Sequence, residues 1–140
     1  MTQLKVFIAG FLATLVFHQG LLEILHVAAN GPAPFDFSGV PPLHVPKVIS
    51  LAFWGGIWAM LLWPLIRPNA DWRYWLTALV LGAVGPSLVA LLIVFPLKGM
   101  PFAAGWDPKI WVAAFLLNGA WGIGVALFMR WLDRPAAVAA

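Results

Sequence analysis

The stretch "WLTALVLGAVGPSLVALLIVF" (Trp75–Phe95) runs for 21 residues without a single ionisable side chain. A helix that crosses a bilayer needs about 20 predominantly apolar residues, because each residue adds about 1.5 Å along a hydrocarbon layer of about 30 Å. This stretch therefore predicts a transmembrane helix.

The rest of the chain follows the same pattern. Of its 140 residues, 63% are hydrophobic and only 9% are charged, which is typical of an integral membrane protein. Three further segments are long and apolar enough to span the bilayer, namely Val6–Val27, Val48–Ile66 and Lys109–Leu132. We expect an all-α membrane protein, a four-transmembrane-helix bundle that occupies residues 1–140 as one domain.

The composition excludes several classes of function. The absence of cysteine rules out disulfides, iron–sulfur clusters and thiolate zinc sites. The net charge of +3 is spread along the chain, so a nucleic-acid partner is not expected. We find no nucleophile beside a base, no phosphate-binding glycine loop and no pair of catalytic carboxylates, and therefore expect neither an enzyme nor a bound cofactor.

The distribution of basic residues predicts the orientation in the membrane. One side of the four spans carries five basic residues and the other carries three. The five are Lys5, Arg67, Arg73, Arg130 and Arg134. The three are Lys47, Lys98 and Lys109. Cytoplasmic loops carry the excess of Lys and Arg, so both termini should lie in the cytoplasm. Trp63, Trp72, Trp75 and Trp131 should form the cytoplasmic aromatic belt, and Trp106 and Trp111 the opposite one.

Two segments of the chain read as copies of each other. "VPKVISLAFWGGIWAMLLWPLIRP" (Val45–Pro68) and "DPKIWVAAFLLNGAWGIGVALFMRWLDRP" (Asp107–Pro135) both open with Pro-Lys, pass a Trp-Gly pair and close with Arg-Pro. We interpret the chain as two tandem helical hairpins, 5–68 and 74–135, related by an axis along the membrane normal.

The first span carries polar residues that its counterpart lacks, in "FHQGLLEILHV" (17–27). At 100° per residue, Gln19, Glu23 and His26 fall on one stripe of the helix, and His18 points about 100° away from Gln19. Glu23 lies about 25 Å from Val6 along the axis, near the non-cytoplasmic side. Because a charge in the bilayer is costly, we expect this cluster to be sheltered by neighbouring protein. Asn118, the one strongly polar side chain within the fourth span, is a candidate hydrogen-bond partner of Gln19 or His18, with a purely structural contact between helices as the alternative.

Several roles remain open for this cluster. Glu23 and His26 fit two roles, a hydrogen-bonded pair that secures the helix end and a group that handles protons or a ligand. The predicted loop partners of Glu23 are His44, Lys47, Lys98 and Lys109. A metal site is disfavoured, since no recognised ligand spacing is present. Haem would need a second histidine facing the first span, supplied by a partner subunit or by His44.

Small residues and apolar loops complete the candidate features. Five glycines are expected to let the second and fourth helices approach their neighbours closely, with a ligand groove as the alternative. They are Gly55, Gly56, Gly119, Gly122 and Gly124. The loops 34–46 and 97–108 are unusually apolar for water-exposed segments, so they should lie in the interface or dock on a partner.

The first span also permits a different interpretation. Lys5, the apolar run and "HVAAN" are compatible with a secretory signal peptide that is cleaved after Ala29. The apolar core of such a peptide usually spans only about 7–15 residues, whereas this run has full membrane length. We therefore favour a retained transmembrane helix.

Three segments, "FLATLVFHQG", "VPKVISLAFWGG" and "PLKGMPF", carry a resemblance over nearly the whole chain. Through these segments the chain resembles a group of small bacterial inner-membrane proteins with four transmembrane helices. The resemblance implies the fold and the location and carries no activity. Small multidrug-resistance transporters share the size and a first-span glutamate, but the context of "GLLEILHV" and the long Pro-rich loop depart from their pattern.

Three functions follow from these features. The first is a non-enzymatic accessory or structural subunit that docks on other subunits of a larger membrane complex, respiratory or photosynthetic. The second is a small proton-coupled transporter, possibly a homo-oligomer, that uses the Glu/His cluster. The third is a haem- or quinone-binding membrane anchor.

Overall fold

The structure is a computed structural model that describes residues 1–134. It contains four long helices, α1 (Thr2–Ala29), α2 (Lys47–Ile66), α3 (Asp71–Leu97) and α4 (Pro108–Leu132), each long and apolar enough to cross a membrane. This confirms the predicted helical fold with four helices long and apolar enough to span a membrane. A pair of two-residue strands, β1 (Gly39–Val40) and β2 (Val45–Pro46), closes the loop between α1 and α2. The predicted end of the second copy, residue 135, lies outside the described residues.

The helices pack around α1 and α4. Helix α1 lies against both α2 and α4, and α3 lies mainly against α4, whereas α2 and α3 touch each other only slightly. The core between them contains small side chains such as Ala9, Ala13, Ala78 and Ala126, which let the backbones come close.

Glycines mark the closest approaches between helices. A Cβ added at Gly55 would meet the Thr14 hydroxyl, one at Gly122 would overlap the Ala78 carbonyl oxygen, and one at Gly119 would lie 3.1 Å from Leu79. The remaining two predicted packing glycines, Gly56 and Gly124, lie against Phe7 and Phe17. All five therefore lie at helix contacts, where a side chain would not fit without movement.

Two further glycines belong to the same contacts and were not singled out from the sequence. A Cβ at Gly10 would overlap the Gly55 carbonyl oxygen, and one at Gly82 would come within 2.8 Å of the Gly122 Cα. The signal for Gly10 was present as small residues spaced by four, Gly10 with Thr14 and Ala9 with Ala13.

Both ends of the described chain meet at one end of the bundle, here called the terminal end. Lys5 Nζ donates to the Leu132 carbonyl oxygen at 3.1 Å and pairs with Asp133 at 3.2 Å. Trp63 is buried at this end and packs edge-on against Tyr74, so its assignment to the aromatic belt is wrong. Its indole fills the core because it lies on the face of α2 that meets α3.

Two of the helices each contain one widened turn of π-helix. In α1 it spans Thr14–His18 and in α3 it spans Ala90–Val94. Such turns rotate the following residues relative to a regular helix and often lie beside functional sites. Both are next to the groove described below.

Candidate functional site

A groove of about 840 Å³ lies between the outer halves of α1, α3 and α4, toward the end opposite the termini, here called the loop end. Its walls are apolar and come from all three helices. They include Leu22, Leu25, Leu91, Phe95, Val112 and Leu117. The inner end of the groove, which is the end farther from the loops, is lined by two polar side chains, His18 and Asn118. Gly31, Pro32 and Lys109 border the groove at the loop end.

The groove exists because α1 separates from the bundle in its second half. Gln19 is the last buried residue of α1, and every residue from 20 to 29 is at least partly exposed. Helix α1 has only a few contacts with α4 beyond this point. The space left between the two helices is closed on its third side by the end of α3.

Gln19 is the structural centre of the polar cluster and is only 3% exposed. Its Oε1 accepts a hydrogen bond from the Phe35 backbone N–H at 2.6 Å, which ties the first loop to α1. Its Nε2 lies 3.3 Å from Nδ1 of His18. Because the Phe35 N–H identifies the amide oxygen, the group facing His18 is the NH₂ donor, and Nδ1 must accept.

The candidate hydrogen bond from Asn118 to Gln19 or His18 does not form. The Asn118 Nδ2 donates instead to the Ser87 hydroxyl of α3 at 3.0 Å. The reason is that α4 packs closely on α3 at this level, whereas α1 turns away from α4. The amide carbonyl of Asn118 remains as a hydrogen-bond acceptor beside the groove.

Glu23 and His26 lie outside the site. Both side chains are exposed, and Glu23 does not line the groove, so the expectation that neighbouring protein shelters it is wrong for the chain by itself. The Glu23–His26 pair does not form, since among residues 1–134 no ion pair joins the two side chains, and His26 Nδ1 bonds instead to the Gly31 carbonyl oxygen at 2.6 Å. This contact closes the end of α1, where Asn30 is left-handed with a φ of 53°.

The predicted loop partners do not reach Glu23 either. Lys47 pairs with Asp36 at 3.2 Å within the first loop, and His44 and Lys98 are exposed. Lys109 is exposed beside the groove. Among residues 1–134, the only ion pairs are Lys5–Asp133 and Lys47–Asp36.

The loop end presents a group of large exposed apolar side chains, here called the outer surface. It consists of Phe35, Phe37, Leu43, Met100, Phe102 and Trp106. Part of it rests on an unusual turn, in which Ala103, Ala104, Gly105 and Trp106 all have a positive φ. The Trp111 indole N–H donates to the Ala103 carbonyl oxygen at 2.9 Å, and the Trp106 ring stacks on Trp111 with 5.4 Å between ring centres.

The terminal end holds a second cavity, of about 600 Å³, with charged walls. Arg67, Asp71, Arg130 and Asp133 line it. The Arg130 guanidinium lies 5.3 Å from the centres of both the Tyr74 and Trp75 rings, a cation–π arrangement. Packing on these rings accounts for the position of Arg130 without a ligand.

Neither metal-ligand geometry nor comparison with known proteins assigns a function to this site. Within residues 1–134, no three His, Asp or Glu side chains come together as a metal-ligand set. No family model matches the sequence, and neither a curated protein nor a solved structure matches it.

Proposed function

We propose that the protein is a non-enzymatic accessory subunit that docks on other subunits of a larger membrane complex, respiratory or photosynthetic, through its outer surface. The observation that carries this proposal is that aromatic side chains at the loop end are exposed while the fold holds them in fixed positions. Trp106 and Trp72 are each 65% exposed, and Trp106 packs edge-on against the exposed Phe102 ring and stacks on Trp111. Aromatic residues concentrated in one patch are typical of protein interfaces.

The backbone beneath the outer surface supports a docking role. A left-handed conformation costs about 1–2 kcal/mol for each residue other than glycine, and three of the four residues in the 103–106 turn are not glycine. Such strain persists where surrounding contacts enforce it and is concentrated at functional positions. Here the Trp111 hydrogen bond and ring stack hold the turn and present Phe102 and Trp106 outward.

The proposal is tested by extracting the membrane in mild detergent and weighing the intact assembly by native mass spectrometry. The full-length chain should leave the membrane with larger subunits, and Trp106→Ala should release it from them. Trp72→Ala is the matched control, because this side chain is equally exposed but lies near the terminal end. It should leave the assembly intact.

Two results would contradict the docking proposal. One is purification of the unmodified chain as a homo-oligomer without other subunits. The other is loss of the assembly in both tryptophan variants alike, which would indicate a general effect on membrane insertion.

The proposed orientation places both termini in the cytoplasm of a bacterium and the outer surface on the other side of its inner membrane. The excess of basic residues at the terminal end supports it. Because the chain has no cysteine, single substitutions at two exposed alanines provide a test. A membrane-impermeant maleimide added to intact spheroplasts should label Ala33→Cys and not Ala70→Cys, and the reverse pattern would invert the orientation.

We also propose that the chain arose from two tandem hairpins. The same offset of 67 residues relates Trp54 to Trp121 and Gly55 to Gly122, and each of these glycines meets a small residue of the preceding helix. Superposition of the two helix pairs in an experimental structure tests this. The α1–α2 pair should superpose on the α3–α4 pair by rotation about the membrane normal. A crossing point shifted by a helical turn between the pairs would contradict it.

Proton-coupled transport through Glu23 gains no support from the geometry. The carboxylate does not line the groove, and its side chain is exposed on the outside of α1. Full uptake activity in a Glu23→Gln variant reconstituted in liposomes would exclude this role directly.

A further inference from the structure

The groove between α1, α3 and α4 has two chemically different parts. Its walls are almost entirely apolar, while His18 and Asn118 place polar groups at its inner end. Its volume of about 840 Å³ lies within the range of about 300–1,000 Å³ that is typical of small-molecule sites. An apolar site with a few convergent polar groups is the usual form of a binding pocket for a lipophilic ligand.

A series of hydrogen bonds that starts in the first loop determines which ring nitrogen of His18 donates and which accepts. The Phe35 N–H donates to Gln19 Oε1, and Gln19 Nε2 then donates to Nδ1 of His18. A neutral imidazole that accepts at Nδ1 carries its proton on Nε2. His18 therefore offers an N–H donor, and it does so among the residues that line the groove.

Asn118 contributes the complementary group. Its NH₂ donates to the Ser87 hydroxyl, and its carbonyl oxygen is left as an acceptor. The inner end of the groove thus combines one N–H donor and one carbonyl acceptor at the level where α1 leaves the bundle.

We propose that this groove binds a neutral lipophilic molecule of the quinone class, which enters with its oxygen-bearing head group first. A carbonyl oxygen of the head group accepts from the His18 Nε2–H, and the reduced hydroxyl form can also donate to Asn118. The apolar tail lies along the leucine-rich walls toward the loop end. This inference concerns binding and does not depend on the docking proposal.

The position of the polar groups selects this ligand over a simple acyl chain. A fatty acid held by Lys109 at the loop end would place its terminal methyl group against His18 and Asn118. Buried polar groups that face only hydrocarbon lose their hydrogen bonds and are costly. A head group with oxygen atoms satisfies them instead.

The test uses the full-length chain in nanodiscs and decylubiquinone as the probe. With ¹⁵N-labelled histidine, the His18 ring should show the Nε2–H tautomer, and its resonance should shift saturably as decylubiquinone is added. Affinity in every variant is measured separately, by retention of radiolabelled decylubiquinone on the nanodiscs above that of empty nanodiscs, and His18→Phe should weaken it about tenfold, the effect expected for loss of one buried hydrogen bond. His44→Phe is the matched control, because this histidine is exposed on the first loop, and it should bind as the unmodified chain does.

Two further variants keep the test decisive if His18→Phe does not fold. His18→Gln retains an amide donor and should retain most of the binding. Ala114→Phe adds volume at a residue that lines the groove, and should block binding while leaving the His18 tautomer unchanged. The proposal is overturned if decylubiquinone causes no saturable shift of the His18 resonance in the unmodified chain, if neither His18→Phe nor Ala114→Phe weakens decylubiquinone binding, or if decanoic acid competes with equal affinity.

Discussion

The indole N–H of Trp121 in α4 donates to the backbone carbonyl oxygen of Gly10 in α1, at 3.1 Å across 111 positions of sequence. The same carbonyl oxygen accepts from the Thr14 hydroxyl at 3.0 Å. Trp121 is 3% exposed, while Trp54, the equivalent residue in the proposed repeat, is 57% exposed. The two halves of the bundle therefore differ, because α1 packs closely on α4 while α2 and α3 barely touch.

Replacing Trp121 with Phe should lower the free energy of unfolding by about 1–3 kcal/mol. The change removes one hydrogen bond and leaves unfilled space in the core. Trp54→Phe is the control and should change the same quantity by less than about 0.5 kcal/mol, since its side chain is exposed. Equilibrium unfolding in mixed detergent micelles measures both, and equal losses would contradict the packing described here.

Gly122→Ala should destabilise the bundle by about 1–3 kcal/mol, as overpacked cores do. The added methyl group would overlap the Ala78 carbonyl oxygen, which belongs to the backbone of α3 and has little freedom to move. Gly20→Ala is the matched control, because nothing lies within 4 Å of a Cβ there. The same unfolding measurement should show the control unchanged or slightly more stable, and a comparable loss in both variants would refute the prediction.

Gln19→Leu should loosen the first loop. It removes the acceptor of the Phe35 N–H, so hydrogen exchange at the Phe35 amide should become at least several-fold faster. It also removes the donor to His18 Nδ1. Gln3→Leu changes the only other glutamine, which is exposed near the start of α1, and should leave exchange at Phe35 unaltered. Unchanged exchange in Gln19→Leu would argue against the loop contact.

The first loop should weaken in acid through Asp36. Hydrogen bonding by Ser38 and the Lys47 ammonium lower the pKa of Asp36 from 3.8 to about 2. A lowered pKa in the folded state means that the carboxylate stabilises the loop above pH about 4, and that this contribution is lost as the pH falls toward 2. The Asp36 carboxyl carbon, followed by NMR, should titrate near pH 2.

The control for this titration is Lys47→Met, which removes the ammonium group 3.2 Å from the carboxylate. The midpoint of the Asp36 titration should then rise toward 3.8 without reaching it, because the contribution of Ser38 remains. A midpoint near 3.8 in the unmodified chain would show that the Asp36 contacts do not form in solution.

The sequence by itself determined the four spans and the helix contacts that small residues make possible. Hydropathy and length are local properties, so Trp75–Phe95 predicts a helix whatever its neighbours are. Glycines such as Gly55 and Gly122 likewise indicate close approach, because a larger side chain at those positions would keep the backbones apart.

Only the tertiary structure decided which members of the polar cluster are enclosed. Helical periodicity places Gln19 and Glu23 on nearly the same stripe, yet Gln19 is buried beneath the first loop and Glu23 is exposed one turn later. Burial depends on how far the neighbouring helix lies and on which loop covers the site, and both are set by contacts distant in sequence. The separation of α1 from α4 beyond Gln19, which creates the groove, has no counterpart in the local pattern of residues.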